Sequence, residues 1–418
     1  MLTWLPRINI FSLSCVSIAC VIALPATAQI KKVSNDIVSS VTCPPPPVVS
    51  AKPTPAPDTS VQMDVRGTLQ SVNWDALQAA GWNNDSHAAA LGGLLQSCNA
   101  LKEQPAWKTA CEAAAQLPQN NEPIAITRFF ENHFIPHQVL NGDGSTSGTI
   151  TGYYEPLLNG SRTPTEKYRY PLYTAPDDMI TVDLADVHPD LKHKRLRGRL
   201  VGNKLMPYYT RGEIEAGAAP IKGRELAYVD DPIETFFLHI QGSGQVKFED
   251  GTSMRVGYAD QNGHPFRGMA RALIYGNEIG MESASMQGIK AWAQKNPGKV
   301  QAYMNCNPSY VFFKELPGDL SGPIGTLGVS LTAERSIAVD QRVIPLGVPV
   351  FLATTFPGSK KPLQRLMLAQ DTGGAINGGV RADFFWGFGD KAGEQAGMMK
   401  QSGKMWVLLP KGMAPPAN

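Results

Sequence analysis

Asp371 and Asp383 are the residues whose type and setting best suit proton transfer. They share a stretch that opens on the apolar run Leu366-Met367-Leu368-Ala369 and carries two Gly-Gly steps, Gly373-Gly374 and Gly378-Gly379. It then reaches Arg381-Ala382-Asp383 and the aromatic run Phe384-Phe385-Trp386. The apolar run reads as a buried strand, and each Gly-Gly step lets the backbone turn sharply or pass close to another segment. With three aromatic neighbours, the Asp383 carboxylate is expected in a poorly hydrated pocket. Desolvation disfavours the charged form and lifts a carboxyl pKa, as a general acid near neutral pH requires. Asp371 has a plainer alternative, since aspartate before Thr-Gly-Gly often caps a turn. Asp383 is harder to explain that way, because carboxylates are seldom buried unless paired or functional.

Other constellations carry less chemistry. His133 and His137 are four apart, but Pro136 breaks the helix that would align them. The chain has no C-x-x-C spacing, which argues against a cysteine zinc site. Asp340, Asp371 and Asp383 could offer hard oxygen ligands, yet their spacing fits no calcium loop. Neither metal nor cofactor is expected. Asp371-Thr372-Gly373 matches the aspartic-protease triplet, but a two-lobed protease needs a second copy and the chain has none. Gly242-Ser243-Gly244 lacks the lysine and following helix of a phosphate loop.

The elements that must position these residues follow from patterning. Helical periodicity covers Trp74 to Leu117, and Asn121 to His133 continues with Ile124, Ile126, Phe129 and Phe130 on an alternating or helical face. From Gly148 the chain reads as β, beginning with Thr149-Ile150-Thr151-Gly152-Tyr153-Tyr154-Glu155-Pro156. Pro171 to Tyr173 and Leu200 to Tyr209 read as further strands. Glu234 to Gly244 is expected to be an apolar strand entering a glycine-rich turn, and Arg255 to His264 a polar, aromatic turn. Aromatic and amide residues at strand ends suit the faces and hydroxyls of sugars. Helices are expected again over Met269 to Gly280 and Met286 to Ala293. Ile324 to Leu409 is strand-rich and reads as a small barrel-like set.

Composition bounds the class. With 40 glycines, 33 prolines and 18% charged residues among 418, many short strands and turns are favoured over a helical bundle. The net charge of +2 carries no nucleic-acid signature. Residues 1–28 read as a signal peptide: Arg7, the apolar stretch Ile8 to Leu24, then the small-residue site Ala26-Thr27-Ala28. Residues 29–60, with Cys43-Pro44-Pro45-Pro46-Pro47, read as a Pro-rich linker. Cys15 and Cys20 lie in the export segment; Ser17-Ile18-Ala19-Cys20 departs from a lipoprotein cleavage box at its first position. In an oxidising compartment Cys98 and Cys111 suit a local disulfide, whereas Cys43 and Cys306 look unpaired. The basic run from Lys192 to Arg199 reads as a solvated loop, with an anionic polymer such as a cell-wall glycan as the functional alternative.

Several motifs in order resemble one family. Gly152-Tyr153-Tyr154-Glu155-Pro156, Phe237-Leu238-His239-Ile240-Gln241-Gly242-Ser243-Gly244, Tyr258-Ala259-Asp260-Gln261-Asn262-Gly263-His264-Pro265 and Asn307-Pro308-Ser309-Tyr310 are similar to the membrane-bound lytic murein transglycosylase A family. The C-terminal stretch resembles its three-aspartate (3D) domain, with Asp340, Asp371 and Asp383 in those positions. The resemblance implies a mainly β fold with a helical N-terminal part. A double-psi β-barrel domain would be built from residues 61–155 and 316–412, with a second, barrel-like β domain inserted at 156–315. It implies Asp383 as catalytic acid/base and Asp371 beside it, tuning or orienting it. Tyr153, Glu155, Gln241, Tyr258, Asp340 and Arg381 are the expected substrate-binding residues. The implied reaction is cleavage of peptidoglycan glycan strands without water, leaving 1,6-anhydromuramate ends. Conventional hydrolysis with a second carboxylate such as Glu155, or a non-catalytic cell-wall-binding barrel, are the alternatives. The expected protein is an exported monomer of the periplasm; the departure at Ser17 leaves outer-membrane attachment open.

Overall fold

The computed structural model describes residues 41, 43–45, 66–117, 122–191, 194 and 196–416. The expected signal peptide and most of the Pro-rich linker lie outside the described residues, as do Lys192, His193 and Arg195 of the basic run. The N-terminal part carries β1 (Thr68–Ser71), α1 (Trp74–Ala79), α2 (Ala88–Leu101), α3 (Pro105–Ala115), α4 (Pro123–His133), β2 (Phe134–Leu140) and β3 (Gly148–Glu155). Pro105 and Pro123 occupy first helical turns, where the missing N–H costs nothing. The middle of the chain carries β4 (Leu157–Ser161), β5 (Tyr170–Tyr173), β6 (Ile180–Val182), β7 (Leu196–Val201), β8 (Lys204–Pro207), α5 (Arg211–Glu215) and β9 (Glu225–Val229). It continues with α6 (Pro232–Gln241), β10 (Ser243–Phe248), β11 (Ser253–Gln261), α7 (Met269–Tyr275), α8 (Met286–Lys295), α9 (Val300–Asn305) and β12 (Val311–Leu316). The last part is β13 (Ser336–Val339), β14 (Pro349–Thr355), β15 (Pro362–Asp371), β16 (Arg381–Phe388), α10 (Gly389–Met398) and β17 (Lys400–Pro410).

Six strands close on themselves in the order β17-β14-β15-β13-β16-β3 and back to β17, with β2 and β1 extending the sheet outside the ring. The β13–β15 and β16–β3 pairs are parallel. The other four junctions of the ring are antiparallel. Closure removes the free strand edges that an open sheet would expose. The helices of the N-terminal part pack on this ring through one large core, in which Trp82 meets Phe130 and Phe351. A disulfide between Cys98 and Cys111 ties α2 to α3, as expected from the sequence. Gly152 of β3 is needed where α10 crosses, because a Cβ there would lie 2.9 Å from the Ala396 backbone and 2.7 Å from the Trp386 indole nitrogen.

Between β3 and β13 the chain builds a six-stranded sheet, β12-β11-β10-β4-β9-β5, and a three-stranded one, β6-β7-β8. Glu155, at the end of β3, is 1% exposed and its Oε1 lies 2.9 Å from Arg255 Nε on β11. Gln245 donates to its other oxygen at 3.1 Å. Arg255 also donates to the Leu320 carbonyl at 2.5 Å. One buried guanidinium therefore holds both places where the chain passes between the ring and the sheet.

Four expectations are corrected. Glu234 to Gly244 is not a strand but helix α6 and its cap. Ile233, Phe236 and Phe237 fall at helical spacing, Asp231 caps the start by accepting from Ile233 N at 2.7 Å, and Gly242 ends it with φ 79°. Arg255 to His264 is mostly strand β11, with a bulge between Tyr258 and Asp260; the turn is confined to Gly263, at φ 79°. Cys43 and Cys306 are not unpaired but bonded to each other across 263 residues, a proximity that sequence spacing could not indicate. The Leu200 to Tyr209 stretch is likewise not one strand: the β7–β8 hairpin turns at Gly202, φ 60°.

Candidate active site

Strand register decides what surrounds Asp383. On β16 it pairs with Thr151 of β3 on one side and Ala338 of β13 on the other. Side chains alternate along a strand, so Thr151 and Tyr153 of β3 face the same way, and Arg381, Asp383 and Phe385 of β16 do too. Thr151 Oγ1 donates to Asp383 Oδ1 at 2.5 Å. Arg381 Nη1 donates to Thr151 Oγ1 at 3.0 Å and to its neighbour's carbonyl, Ala382 O, at 2.6 Å. Asp371 ends β15 close by. Tyr153 donates its hydroxyl to Asp371 Oδ2 at 3.0 Å, while the Thr326 N–H and hydroxyl donate to Oδ1 at 3.0 and 2.9 Å. Tyr153, Leu331, Ala338, Ile376 and Phe385 form the apolar floor, with the Tyr153 and Phe385 rings 5.1 Å apart.

The aromatic setting expected for Asp383 is therefore only partly its own. Phe385 shares its face, whereas Phe384 and Trp386 point into the main core. Burial still dominates. It pushes the Asp383 carboxyl up to about 6, against the pull of the Thr151 hydroxyl and the Arg381 charge, and Asp371 adds a further push. Burial also raises Asp371, opposed by donors from Thr372, Thr326 and Tyr153. The Tyr153 phenol is held well above its ordinary range by burial and both carboxylates, so it remains a donor. Asp371 has both oxygens engaged by the protein. Asp383 has a protein partner on Oδ1 alone among the hydrogen bonds of the described residues. That asymmetry fits one carboxyl that exchanges a proton and one that is held in place.

Asp340 stands apart from this pocket. Burial pushes its carboxyl up, but bonds from Arg342 and the Gly378 N–H outweigh it and hold it below its ordinary value. Arg342 reaches it through Nε at 2.7 Å and Nη2 at 2.6 Å, and Gly378 N at 2.9 Å. It thus clamps the turn between β15 and β16. Gly378, at φ 108°, and Gly379, whose Cβ would meet the Leu140 carbonyl at 2.3 Å, are both required there. Gly373-Gly374 meets no such constraint: neither has positive φ, and the nearest obstacle is the Ile376 side chain. Glu155 is buried on Arg255, as described above. Gln241 accepts from Tyr154 N at 3.1 Å and so joins α6 to β3. Tyr258 is 37% exposed on β11. Tyr153, Asp371, Arg381 and Asp383 are brought together; Asp340, Glu155 and Tyr258 are not part of that cluster. Thr151 and Thr326 were missed from sequence. Thr151 could have been found from the alternation Thr151-Gly152-Tyr153, which puts its hydroxyl on the face of Tyr153; Thr326 carried no signal. Among the described residues no group of three His, Cys, Asp or Glu side chains is arranged to hold a metal ion.

The ring and the carboxyl pair define a mainly β protein with two carboxyl groups raised by burial where two parallel-paired strands meet. Comparison with known proteins narrows this. Residues 149–314 match the family model described as the MltA specific insert domain, and 335–409 match the 3D domain. The chain is 32% identical over 278 residues to membrane-bound lytic murein transglycosylase A of Escherichia coli K12, covering 65% of this chain and 68% of that one. The crystal structure of MltA from Neisseria gonorrhoeae superposes with a TM-score of 0.73 at 39% identity, over 85% of this chain and 98% of that one. The structure of Escherichia coli MltA with bound chitohexaose gives a TM-score of 0.60 at 25% identity, over 84% and 93%. The chain belongs to the membrane-bound lytic murein transglycosylase A family.

Proposed function

We propose that the protein is a peptidoglycan lytic transglycosylase in which Asp383 is the sole acid/base. The observation that carries this reading is the Asp383 carboxyl itself, raised to about 6 and held through one oxygen by Thr151. Neutral Asp383 protonates the glycosidic oxygen between N-acetylmuramate and N-acetylglucosamine. The bond from C1 to that oxygen breaks and N-acetylglucosamine leaves as its hydroxyl, while the carboxylate left behind takes the proton of the muramate C6 hydroxyl as the C6 oxygen attacks C1. A 1,6-anhydro ring closes and no water enters. Asp371 keeps the pocket negative and helps to hold Asp383 protonated, as a nearby like charge does. A hydrolase would need a second working carboxylate. Glu155, the candidate for that part, is buried on Arg255, which speaks against it.

Residues 61–155 and 316–412 form the barrel domain in this reading and 156–315 the insert, with glycan strands bound along their junction. Tyr153, Gln241, Tyr258 and Arg381 are the residues assigned to contact glycan. The relatives' description as membrane-bound, together with the expected export signal, supports a periplasmic enzyme associated with the outer membrane. The test is a digest of purified peptidoglycan by the wild type and by Asp383→Asn, with products weighed by mass spectrometry. Anhydromuramate products that vanish in the variant are expected. Products heavier by one water would make the protein a hydrolase, and binding without products a cell-wall-binding module.

A further inference from the structure

We propose that Thr151, with its hydroxyl aimed by Arg381, is a positioning residue that reserves Oδ2 of Asp383 as the oxygen that carries the proton. The inference rests on the acid/base reading of Asp383 and adds which of its two oxygens works. A threonine hydroxyl has one hydrogen to give and two lone pairs to accept with. A guanidinium can only donate, so the 3.0 Å contact fixes the direction of the first bond, from Arg381 Nη1 to Thr151 Oγ1. Asp383 Oδ1, at 2.5 Å, is the sole acceptor for the remaining Thr151 hydrogen among the hydrogen bonds of the described residues. That distance lies in the range of hydroxyl donors to charged oxygens. Oδ1 is therefore an acceptor whether Asp383 is charged or neutral.

The consequence is chemical. A proton on Oδ1 would displace the Thr151 hydrogen from its one acceptor among the described hydrogen bonds, in a half-buried pocket, a costly arrangement. Protonation falls on Oδ2 instead. In the first step the Oδ2–H bond breaks as the glycosidic oxygen gains the proton. The protonated oxygen then leaves as the N-acetylglucosamine hydroxyl, its bond to C1 breaking, and in the second step Oδ2 gains the proton that leaves the C6 hydroxyl as the C6 oxygen bonds to C1. The Thr151–Oδ1 bond persists through both steps, so one oxygen serves as acid and then as base without the carboxyl turning. Arg381 matters because it occupies a lone pair of Thr151 and denies the hydroxyl its other orientations. The charged and titratable groups facing Asp383 are Arg381 on its own strand, Asp371 from β15 and Tyr153 from β3; β13 contributes only Ala338.

Thr151→Val keeps the shape and removes the hydroxyl, whereas Thr151→Ser keeps the hydroxyl. On soluble peptidoglycan fragments, Thr151→Val is expected to lower kcat by about 10- to 100-fold, as for loss of a hydrogen bond to a charged group. KM should stay within about twofold, because the hydroxyl touches Asp383 and not the glycan. Activity of the wild type should fall as pH rises through about 6, and in Thr151→Val this limb should move upward, since the lost bond held the pKa down. Thr151→Ser should restore both rate and limb, and Arg381→Gln should lower kcat while leaving Thr151 in place. Melting curves establish that each variant is folded. A Thr151→Val enzyme with unchanged kcat and limb, or a Thr151→Ser enzyme as impaired as the valine variant, overturns the proposal. If Asp383→Asn still makes anhydromuramate, the acid/base assignment has failed instead; if it is dead while Thr151→Val is normal, only the positioning role has.

Discussion

Asp383→Asn should make the protein more stable at neutral pH while abolishing its activity. Folding raises the Asp383 carboxyl from 3.8 to about 6, so the native state holds this proton more tightly than the unfolded chain does. Ionising the group thus costs the fold more than it costs the unfolded chain. The cost is absent below about pH 4, grows between there and about 6, and is complete above. At about 1.4 kcal/mol per pKa unit it amounts to about 2 to 3 kcal/mol, the lower figure allowing for partial exposure. Asparagine has the size of the neutral acid and still offers an oxygen to Thr151, so it imitates the protonated form at every pH. The assay is urea or thermal denaturation of wild type and variant from pH 4 to pH 7.5, read as a difference so that the other titrating groups cancel to first order. Equal stability at pH 4 and an advantage of about 2 to 3 kcal/mol for the variant at pH 7.5 are expected. The rise should level off at about the pH of the falling limb of kcat. A difference that does not change with pH, or a wild type that is the more stable at pH 7.5, would show that Arg381 and Thr151 stabilise the carboxylate at least as much as burial penalises it. Asp383 could then not be the acid.

Glu155→Ala should lower stability by about 3 kcal/mol or more, because it strips the half-buried Arg255 guanidinium of its counter-charge and of the oxygens it contacts. The products of the surviving enzyme should still be anhydromuramate; a normal melt with no activity would instead place Glu155 in the chemistry. His239 lies buried at the end of α6 and contacts Arg211 Nη2 through Nδ1 at 2.8 Å. Burial first, then the Arg211 charge, push its pKa well below 6.5. Below pH 6.5 the unfolded chain gains a proton that the native state refuses, so stability falls as the pH drops. Gln in place of His239 retains an acceptor for Arg211 without a titrating proton, and should flatten the urea midpoint between pH 5 and 6.5; an unchanged slope would clear His239 of the effect.

The sequence showed most of the fold wherever local pattern and tertiary demand agree. The helices from Trp74 to His133 end where proline and glycine signals say they should, and strands β3, β14, β15 and β17 lie in apolar or alternating runs. The failures share a cause. In Glu234 to Gly244 the aromatic and β-branched residues favour a strand, but Asp231-Pro232 starts a helix and the 233, 236, 237 spacing gives it a buried face. Tertiary packing overrode the propensity. Cys43 and Cys306, and the Arg255 clamp on Glu155 and Leu320, depend on segments far apart in the chain, and no local pattern encodes those meetings.

The site divides along the same line. Asp383 could be singled out because its aromatic neighbours Phe384, Phe385 and Trp386 indicate a poorly hydrated carboxylate, although only Phe385 shares its face. For Thr151 the alternation shows only that its hydroxyl shares a face with Tyr153; its tie to Asp383 lies in the β3–β16 register, which brings the two together across 232 residues of chain. A slip of one residue in that register would turn Thr151 away and present Ile150 or Gly152 to the carboxyl. The close passage of Gly152 beneath Trp386 and Ala396 guards against that slip, because the only residue of β3 that fits under α10 is one without a side chain. Gly152, read from sequence only as part of a strand, is here the part that fixes register. Thr151→Val and a bulky replacement of Gly152 should therefore differ in kind: the first changes the proton and keeps the barrel, the second moves the barrel and loses the proton with it.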